Sequence, residues 1–337
     1  MNLYGKLFRV SIFGESHGQL TGVLLDGVPA GIPLKDNDLL DDLSRRKSGA
    51  AGTTPRKEDD LPSIRSGIFE GFTTGAPLLI EFLNKNTRSR DYNEIRKTPR
   101  PGHADFTAFK KFGGYEDYRG GGHFSGRLTT GLVAAGAIAK KLIAPSHVNT
   151  KILEVGGSHD IEAAIEKAVE EHDSIGGIIE CRVTGVPVGL GEPFFDSAEA
   201  LLSHMVFSIP AIKGIEFGAG FSAAKMKGTE HNDNFTSADG TTETNNAGGI
   251  NGGITNGNEI VFRVAVKPTS STHQVQHTMN FVTQSMHDFV IEGRHDTCIA
   301  LRVPVVLEAA TAIVMADMLL QAQMIDRINN PKDTLAP

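Results

Sequence analysis

Apolar and polar positions along this 337-residue chain follow two rhythms, one of helices and one of strands. Apolar residues recur at helical spacing over 130–144, 160–172, 271–290 and 308–328, and shorter helix-like stretches occupy 36–46 and 196–206. In the last of these, Asp196 and Glu199 stand at capping-box spacing. Apolar, β-branched runs over 7–13, 77–83, 177–184 and 259–266 predict strands. The two kinds of element do not alternate strictly. The expected class is therefore α+β with antiparallel sheets rather than a doubly wound parallel sheet.

Residues 21–31 and 181–189 each read as a β-rich run closing in Gly-Val-Pro-x-Gly, and each precedes one of the short helical stretches. This weak internal repeat predicts two related strand-plus-helix halves. No Pro/Ser-rich linker separates them, so residues 1–337 are expected to form a single domain. The stretch 236–257 is almost entirely Gly, Asn, Thr, Ser, Ala and acids. It is expected to be a flexible loop that orders over ligand, and 308–337 to be a helix and tail.

Composition narrows the class. At 39% apolar and 22% charged residues, the chain can bury a sizeable core. Two cysteines make no disulfide framework, which points to a reducing compartment. The N-terminal residues lack a signal-peptide h-region, and no apolar run approaches the roughly 18 residues of a membrane helix, so a cytoplasmic protein without membrane contact is expected. A net charge of −7 argues against a nonspecific nucleic-acid binder. The distribution says more: residues 1–130 hold 19 Lys plus Arg against 16 Asp plus Glu, the remainder 14 against 24, and eleven of sixteen arginines fall in the first stretch. The guanidinium fork suits phosphate and carboxylate, so this bias points to a small anionic ligand.

Five glycine-framed or turn-framed clusters carry the candidate chemistry: Gly14-Glu15-Ser16-His17-Gly18, Arg100-Pro101-Gly102-His103-Ala104-Asp105, Arg119 to Arg127, Lys267-Pro268-Thr269-Ser270-Ser271 and Gly293-Arg294-His295-Asp296. Each sets a proton carrier, hydroxyl or cation beside residues that let backbone approach a ligand. The first matches G-x-S-x-G, but it follows a single strand and leads into another β-rich run, which opposes a nucleophile elbow at Ser16. The Gly120-Gly121-Gly122 run leads into an Ala-rich helix whose first amides could cradle phosphate. The Lys267–Ser271 cluster stands before another expected helix. Neither a Rossmann fingerprint nor a P-loop occurs. His273 and His277 lie four apart on that expected helix, without a third ligand at telling spacing, so no metal site is expected.

In this order and at these separations the five clusters resemble those of chorismate synthase, from Gly5 to about Ala310. The resemblance implies a β-α-β sandwich with internal pseudosymmetry, usually a homotetramer. It implies a 1,4-anti elimination of phosphate from 5-enolpyruvylshikimate 3-phosphate that needs reduced FMN without net redox change. By motif, His17 and His103 match two catalytic histidines, assigned to protonating the leaving phosphate and the reduced flavin. Asp296 matches the aspartate that helps flavin N5 remove the C6 proton, and Ser16 and Ser125 match assisting hydroxyls. Arg46, Arg100, Arg127 and Arg294 match arginines around the substrate's phosphate and carboxylates. Flavin contacts fall at positions matching His123, Phe124, Ser125, Pro210, Ala211, Gly252, Lys267, Pro268, Thr269, Ser270, Ser271 and Arg294.

Some positions depart from the family pattern. Many relatives carry Ser and Glu where this chain has Phe124 and Leu128, and an arginine where it has Gly52, with Arg56 a candidate replacement. The family contains self-reducing and dependent members. With Gly52 and no Rossmann fingerprint, an external flavin reductant is expected, NADPH acting only indirectly. A serine hydrolase using Ser16 and a noncatalytic flavin- or phosphate-binding module are the readings from other classes.

Overall fold

The computed structural model describes residues 2–49, 51–54, 59–85, 93–291, 293 and 295–325. Strands β1 (Leu3–Tyr4), β2 (Arg9–Gly14) and β3 (Leu20–Asp26) precede helix α1 (Leu40–Arg46). Strands β4 (Ser63–Ile64), β5 (Ile68–Phe69), β6 (Phe72–Thr73) and β7 (Leu78–Leu83) lead to helices α2 (Asn93–Lys97), α3 (Asp105–Phe112) and α4 (Thr129–Leu142). Then come β8 (His147–Val155), α5 (Ile161–Glu170), β9 (Gly177–Thr184), α6 (Ala198–Val206), β10 (Ile212–Phe217) and α7 (Gly228–His231). Strands β11 (Ile250–Asn251), β12 (Ile254–Thr255), β13 (Ile260–Val266), β14 (Gln276–Asn280) and β15 (Ser285–Phe289) precede the long helix α8 (Val303–Gln321).

Two antiparallel sheets, ordered β1-β2-β3-β7-β4 and β10-β13-β9-β8, enclose a helical layer. Helix α4 packs on β3, α8 packs on β8, and the two helices pack on each other. This is the α+β, sheet–helix–sheet sandwich that the repeat and the resemblance lead one to expect. Small residues make the helical seam possible: a Cβ on Gly136 would lie 2.2 Å from Ala309 Cβ and 2.4 Å from its Cα. Around that seam Leu307, Ile313, Val314 and Met315 are almost wholly excluded from solvent. Burying side chains of this size stabilises by about 1.5–3 kcal/mol each.

Helix α8 and its lead-in, Ile299–Gln321, are long and apolar enough to cross a membrane on length and composition alone. That corrects the expectation that no apolar run reaches such a length. The reason is burial on every side, since 89% of its apolar window lies inside the protein, between two sheets. One carboxylate near its end closes the structure: Asp317 accepts backbone N–H bonds from Lys6, Leu7 and Phe8 at 2.7–3.1 Å.

The repeat is visible atom by atom. Thr73 Oγ1 donates to Pro29 O at 2.6 Å and accepts from Ile32 N at 2.9 Å, while its backbone pairs with Ile32 O and Gly31 N. Thr255 Oγ1 donates to Pro187 O at 2.7 Å and accepts from Leu190 N at 2.9 Å, and its backbone pairs with Leu190 O and Gly189 N. Each buried threonine ends a two-stranded hairpin, β5–β6 or β11–β12, and clamps the Gly-Val-Pro bend after a sheet strand. The central strands then correspond, β2-β3-β7 with β8-β9-β13, and α4 with α8.

Other sequence expectations need correction. Residues 271–290 form the β14–β15 hairpin rather than a helix. Its β-branched Val275, Thr278, Val282 and Thr283 suit strands and turn, and Gln284 takes a left-handed φ of 55°. The cap before α6 is Ser197, whose side chain accepts from Ala200 N at 3.1 Å, rather than Asp196. Helix α8 begins at Val303, five residues before the expected start, with Pro304 in its first turn. The Gly/Asn/Thr-rich stretch 236–257 is braced: Asp233 accepts from Thr244 Oγ1 and the amides of Asn246 and Ala247, and Asn245 Nδ2 donates to Glu259 O.

Candidate active site

A cavity of about 870 Å³ opens between loops contributed by both halves. Apolar side chains from the second half, including Ile209, Ile212, Ile299, Val303 and Val306, form part of its wall. The rest is polar and organised as two hydrogen-bonded clusters.

The first cluster is an arginine pair around one carboxylate. Asp60, held at a left-handed φ of 48°, bonds Arg46 Nη2 at 2.5 Å and also binds Arg127 Nη1, and all three residues are buried. Burial pushes the Asp60 carboxyl up, but Arg46 and Arg127 outweigh it and hold it below the ordinary carboxylate value. Burial, opposed by Asp60 and reinforced by Arg302 and Arg127, brings Arg46 down to about 10. It remains a cation at neutral pH, so the cluster keeps excess positive charge. Arg46 Nε and Arg127 Nη2 are buried without a hydrogen-bond partner among the described residues. Such atoms are costly unless a ligand's anionic oxygen meets them. Arg302 Nε donates to Arg46 O at 3.1 Å and its Nη1 reaches Asp296 Oδ2 at 3.1 Å, while Thr54 N donates to Asp296 Oδ1 at 2.8 Å.

The second cluster is built on the Arg-Pro-Gly-His turn. Asp105 accepts from Arg100 Nε at 2.7 Å and Nη2 at 2.8 Å, and lies 2.6 Å from His103 Nδ1. Burial raises the Asp105 carboxyl, but the hydrogen bonds from Arg100 and His103 overcome it and hold it well below its usual range. An ionised Asp105 that close accepts a hydrogen bond from His103 Nδ1–H, which leaves Nε2 as the ring atom facing other partners. Arg100 Nη1 also donates to Ser271 Oγ at 3.2 Å, and Lys267 Nζ donates to Gly102 O at 2.7 Å and Ser270 Oγ at 2.6 Å. Burial, then Lys213, lower the Lys267 ammonium. Thr269 Oγ1, in the same cavity-lining segment, is buried without a partner among the described residues.

Ser16 and His17 occupy the turn between the antiparallel strands β2 and β3. They do not themselves line the cavity; Gly120, which does, lies directly over them. A Cβ on Gly120 would come within 2.5 Å of the His17 ring and 2.8 Å of Ser16 Oγ. Glycine there, at φ 60°, lets backbone cover the imidazole as closely as it does. His123 Nδ1, 2.9 Å from Gly14 O, ties the same turn to the triglycine segment.

The cavity thus gathers Arg46, Arg100, Arg127, His103 and Asp296 with the Lys267–Ser271 segment. His123, Phe124 and Ser125 line it from one side, and Pro210 and Ala211 from the other half. Gly252 is not brought to it; it sits in the two-residue turn of the β11–β12 hairpin. Arg294 and Arg56 lie outside the described residues. His277 bonds Asp288 across the β14–β15 hairpin at 2.9 Å, and His273 is 6.3 Å from His295 between ring centroids. Among the described residues no three His, Cys, Asp or Glu side chains gather as a metal cluster. Asp60, Arg302 and Thr54 were missed by motif reasoning. Asp60 stands only in a charged run, and Arg302 six residues after Asp296 at the foot of an apolar helix, neither a pattern with one meaning.

The chorismate synthase family model matches residues 8–320. A chorismate synthase of Chitinophaga pinensis is 62% identical over 329 residues, covering 97% of this chain and 99% of that protein. One from Dehalococcoides mccartyi is 47% identical over 359 residues, with 97% and 99% covered. A crystal structure of chorismate synthase superposes with a TM-score of 0.71 at 26% identity, covering 95% of this chain and 93% of the other.

Proposed function

The chain belongs to the chorismate synthase family and carries that lyase activity, the last step of the shikimate pathway, and from this premise we propose how its cavity performs it. The reaction eliminates phosphate from 5-enolpyruvylshikimate 3-phosphate to give chorismate. The observation that carries the reading is one cavity joining an under-neutralised arginine pair, an Asp-oriented histidine and a carboxylate held by Arg302.

Arg46 and Arg127 receive an anionic group of the substrate on their unpartnered nitrogens, and Arg100 and Arg294 serve its other anions. His17, with Ser16 beside it, donates the proton that leaves with phosphate. Gly120 allows that donor to lie directly beneath the cavity wall. Asp296, held in place by Arg302 and Thr54 N, receives the substrate's C6 proton. Ser125, which accepts from Arg127 N at 3.3 Å, orders the first turn of the arginine's segment. His103 holds or gives a proton through Nε2.

Reduced FMN fits the remaining donors. The buried Thr269 hydroxyl, the amine of Lys267 and the hydroxyls of Ser270 and Ser271 suit a phosphate. The apolar wall with Phe124, Pro210 and Ala211 suits a flat ring system. When bound, the flavin supplies electron density as the substrate C–O bond breaks. Pro268 shapes the segment, and Gly252, remote from this cavity within one chain, is left to a contact outside it. Phe124, where many relatives carry Ser, makes this wall more apolar, whereas Leu128, where many carry Glu, is buried and does not line the cavity.

The assembly is a homotetramer, supported by Phe194, Phe195 and Phe221, which are 87%, 94% and 83% exposed. A cytoplasmic location is supported by two buried, unbridged cysteines, Cys181 and Cys298. An external reductant is supported at Gly52, where many relatives carry an arginine: its φ is +78° and a Cβ there would lie 2.7 Å from Ile165 Cγ2, so a side chain at this position would be strained. The hydrolase reading loses its premise, because Ser16 sits in an antiparallel hairpin rather than a strand-to-helix elbow.

The test is anaerobic. Enzyme, reduced FMN and the phosphorylated ester should yield chorismate and equimolar phosphate; flavin binding without phosphate release would leave only a binding module. NADPH with oxidised FMN and no reductase should yield none, and sustained chorismate under those conditions would refute the external reductant.

A further inference from the structure

Asn84, the first residue after β7, uses both ends of its carboxamide in different directions. Nδ2 donates to Glu15 O at 3.0 Å and to Gly18 O at 2.9 Å, the two carbonyls that bracket Ser16 and His17. Oδ1 accepts from Arg127 Nε at 3.0 Å, and the backbone N–H reaches Gln19 O at 3.1 Å. Only this amide orientation works, since the reverse would set a carbonyl against two carbonyls and an NH2 against a guanidinium N–H. Arg127 in turn holds Asp60, and Asp60 holds Arg46. The second half places Lys267 at the matching point, one residue past β13, where it holds the His103 turn through Gly102 O.

We propose that Asn84 is a positioning residue that locks the Ser16–His17 turn to the Arg127 guanidinium, so that the proton donor and the anion-binding arginines move as one unit. A substrate anion seated on Arg127 is thereby held at a constant offset from His17. A small shift of either would separate the departing phosphate oxygen from its proton, and positional errors of this kind are costly to turnover. Serine or alanine at 84 leaves Arg127 Nε and two turn carbonyls without their partner. Asp keeps the acceptor for Arg127 but repels the turn, and Gln displaces the amide by one methylene. The inference rests on the reading of His17 and Arg127 given above.

The test is a pair of double-mutant cycles on the full-length enzyme, with melting temperature recorded for each variant. In the wild-type background, Asn84→Ala should lower kcat at least tenfold. In a His17→Ala background the same change should cost less than twofold, because the donor it positions is already gone. With oxidised FMN, which binds without turnover, Asn84→Ala should raise the Kd of 5-enolpyruvylshikimate 3-phosphate several-fold, and less so in an Arg127→Lys background. An equal fold-loss in both backgrounds of each cycle would make Asn84 merely structural and overturn the proposal, as would no loss at all. Where Asn84→Ala fails to fold, Asn84→Ser and Asn84→Asp carry the same cycles. Wild-type turnover by His17→Ala alone would overturn the underlying reading of the acid and, with it, the locking proposed here.

Discussion

The two halves share a frame and differ in what hangs from it. In each, a buried threonine clamps a Gly-Val-Pro bend with four matching hydrogen bonds, and three antiparallel strands lie over one central helix. The loops of the first half carry the arginine pair, Asp60, Ser16–His17 and the His103 turn. Those of the second give apolar wall, Lys267, three hydroxyls and Asp296. The scaffold is duplicated while the chemistry is not. Geometry common to both halves should therefore respond alike to mutation, and geometry belonging to one should touch turnover without touching the fold.

The largest effect is expected where the halves meet. Gly136→Val would drive a side chain into the Ala309 backbone, with no flexible neighbour to yield, and should cost at least about 3 kcal/mol or abolish folding. Thermal melting or soluble yield reports it, and a wild-type melt would mean the seam is looser than described. Next, His17→Ala and His103→Ala should each lower kcat about 10²-fold, the usual scale of general acid–base catalysis, with little change in melting temperature. Loss of folding in either would show that the turns belong to the frame.

The frame itself is tested by Thr73→Val and Thr255→Val. Each strands a buried carbonyl and a buried amide and should cost about 1–3 kcal/mol. The two losses of unfolding free energy, measured by urea titration, should agree within about 0.5 kcal/mol and add in the double variant, as distant sites do. A twofold disparity would break the equivalence.

Last comes the pH dependence carried by Asp60 and Asp105, whose electrostatic contribution is fully present at neutral pH. Both carboxyls are held below their ordinary value in the fold, so in acid the unfolded chain takes up the protons first. Their stabilisation is complete above roughly pH 4 and is lost as pH falls through the lower folded values. Asp60→Asn should make stability fall less steeply below pH 4; an unchanged slope would show that the arginine pair does not act on this carboxylate.

Periodicity found the long helices and central strands because those segments are buried on a regular face. It failed at 271–290, where apolar spacing suits a helix but the β-branched content and the turn at Gln284 favour a hairpin. It also misjudged α8, whose apolar character continues all round because no face meets water. The five clusters were legible because glycine and proline frames mark backbone shape. Asp60, Asn84 and Arg302 were not, since a lone side chain acquires its role only when the strand ends and loops are placed in space. Gly252 shows the reverse limit: the resemblance marks it as a flavin contact, yet its hairpin turn does not line the cavity of its own chain.

The bonds that Asp317 accepts from the amides of Lys6, Leu7 and Phe8 join points more than 300 residues apart, and α8, which covers one side of α4, is made long after it. At ribosomal rates of 5–20 residues per second, roughly 10 to 35 s separate the emergence of α4 from that of α8. Over that interval the nascent first half presents an alanine-rich helical face whose natural cover does not yet exist. Vectorial synthesis and final closure are thus at odds in this protein, and its dependence on holding chaperones during translation should exceed that of a chain whose halves complete themselves in turn.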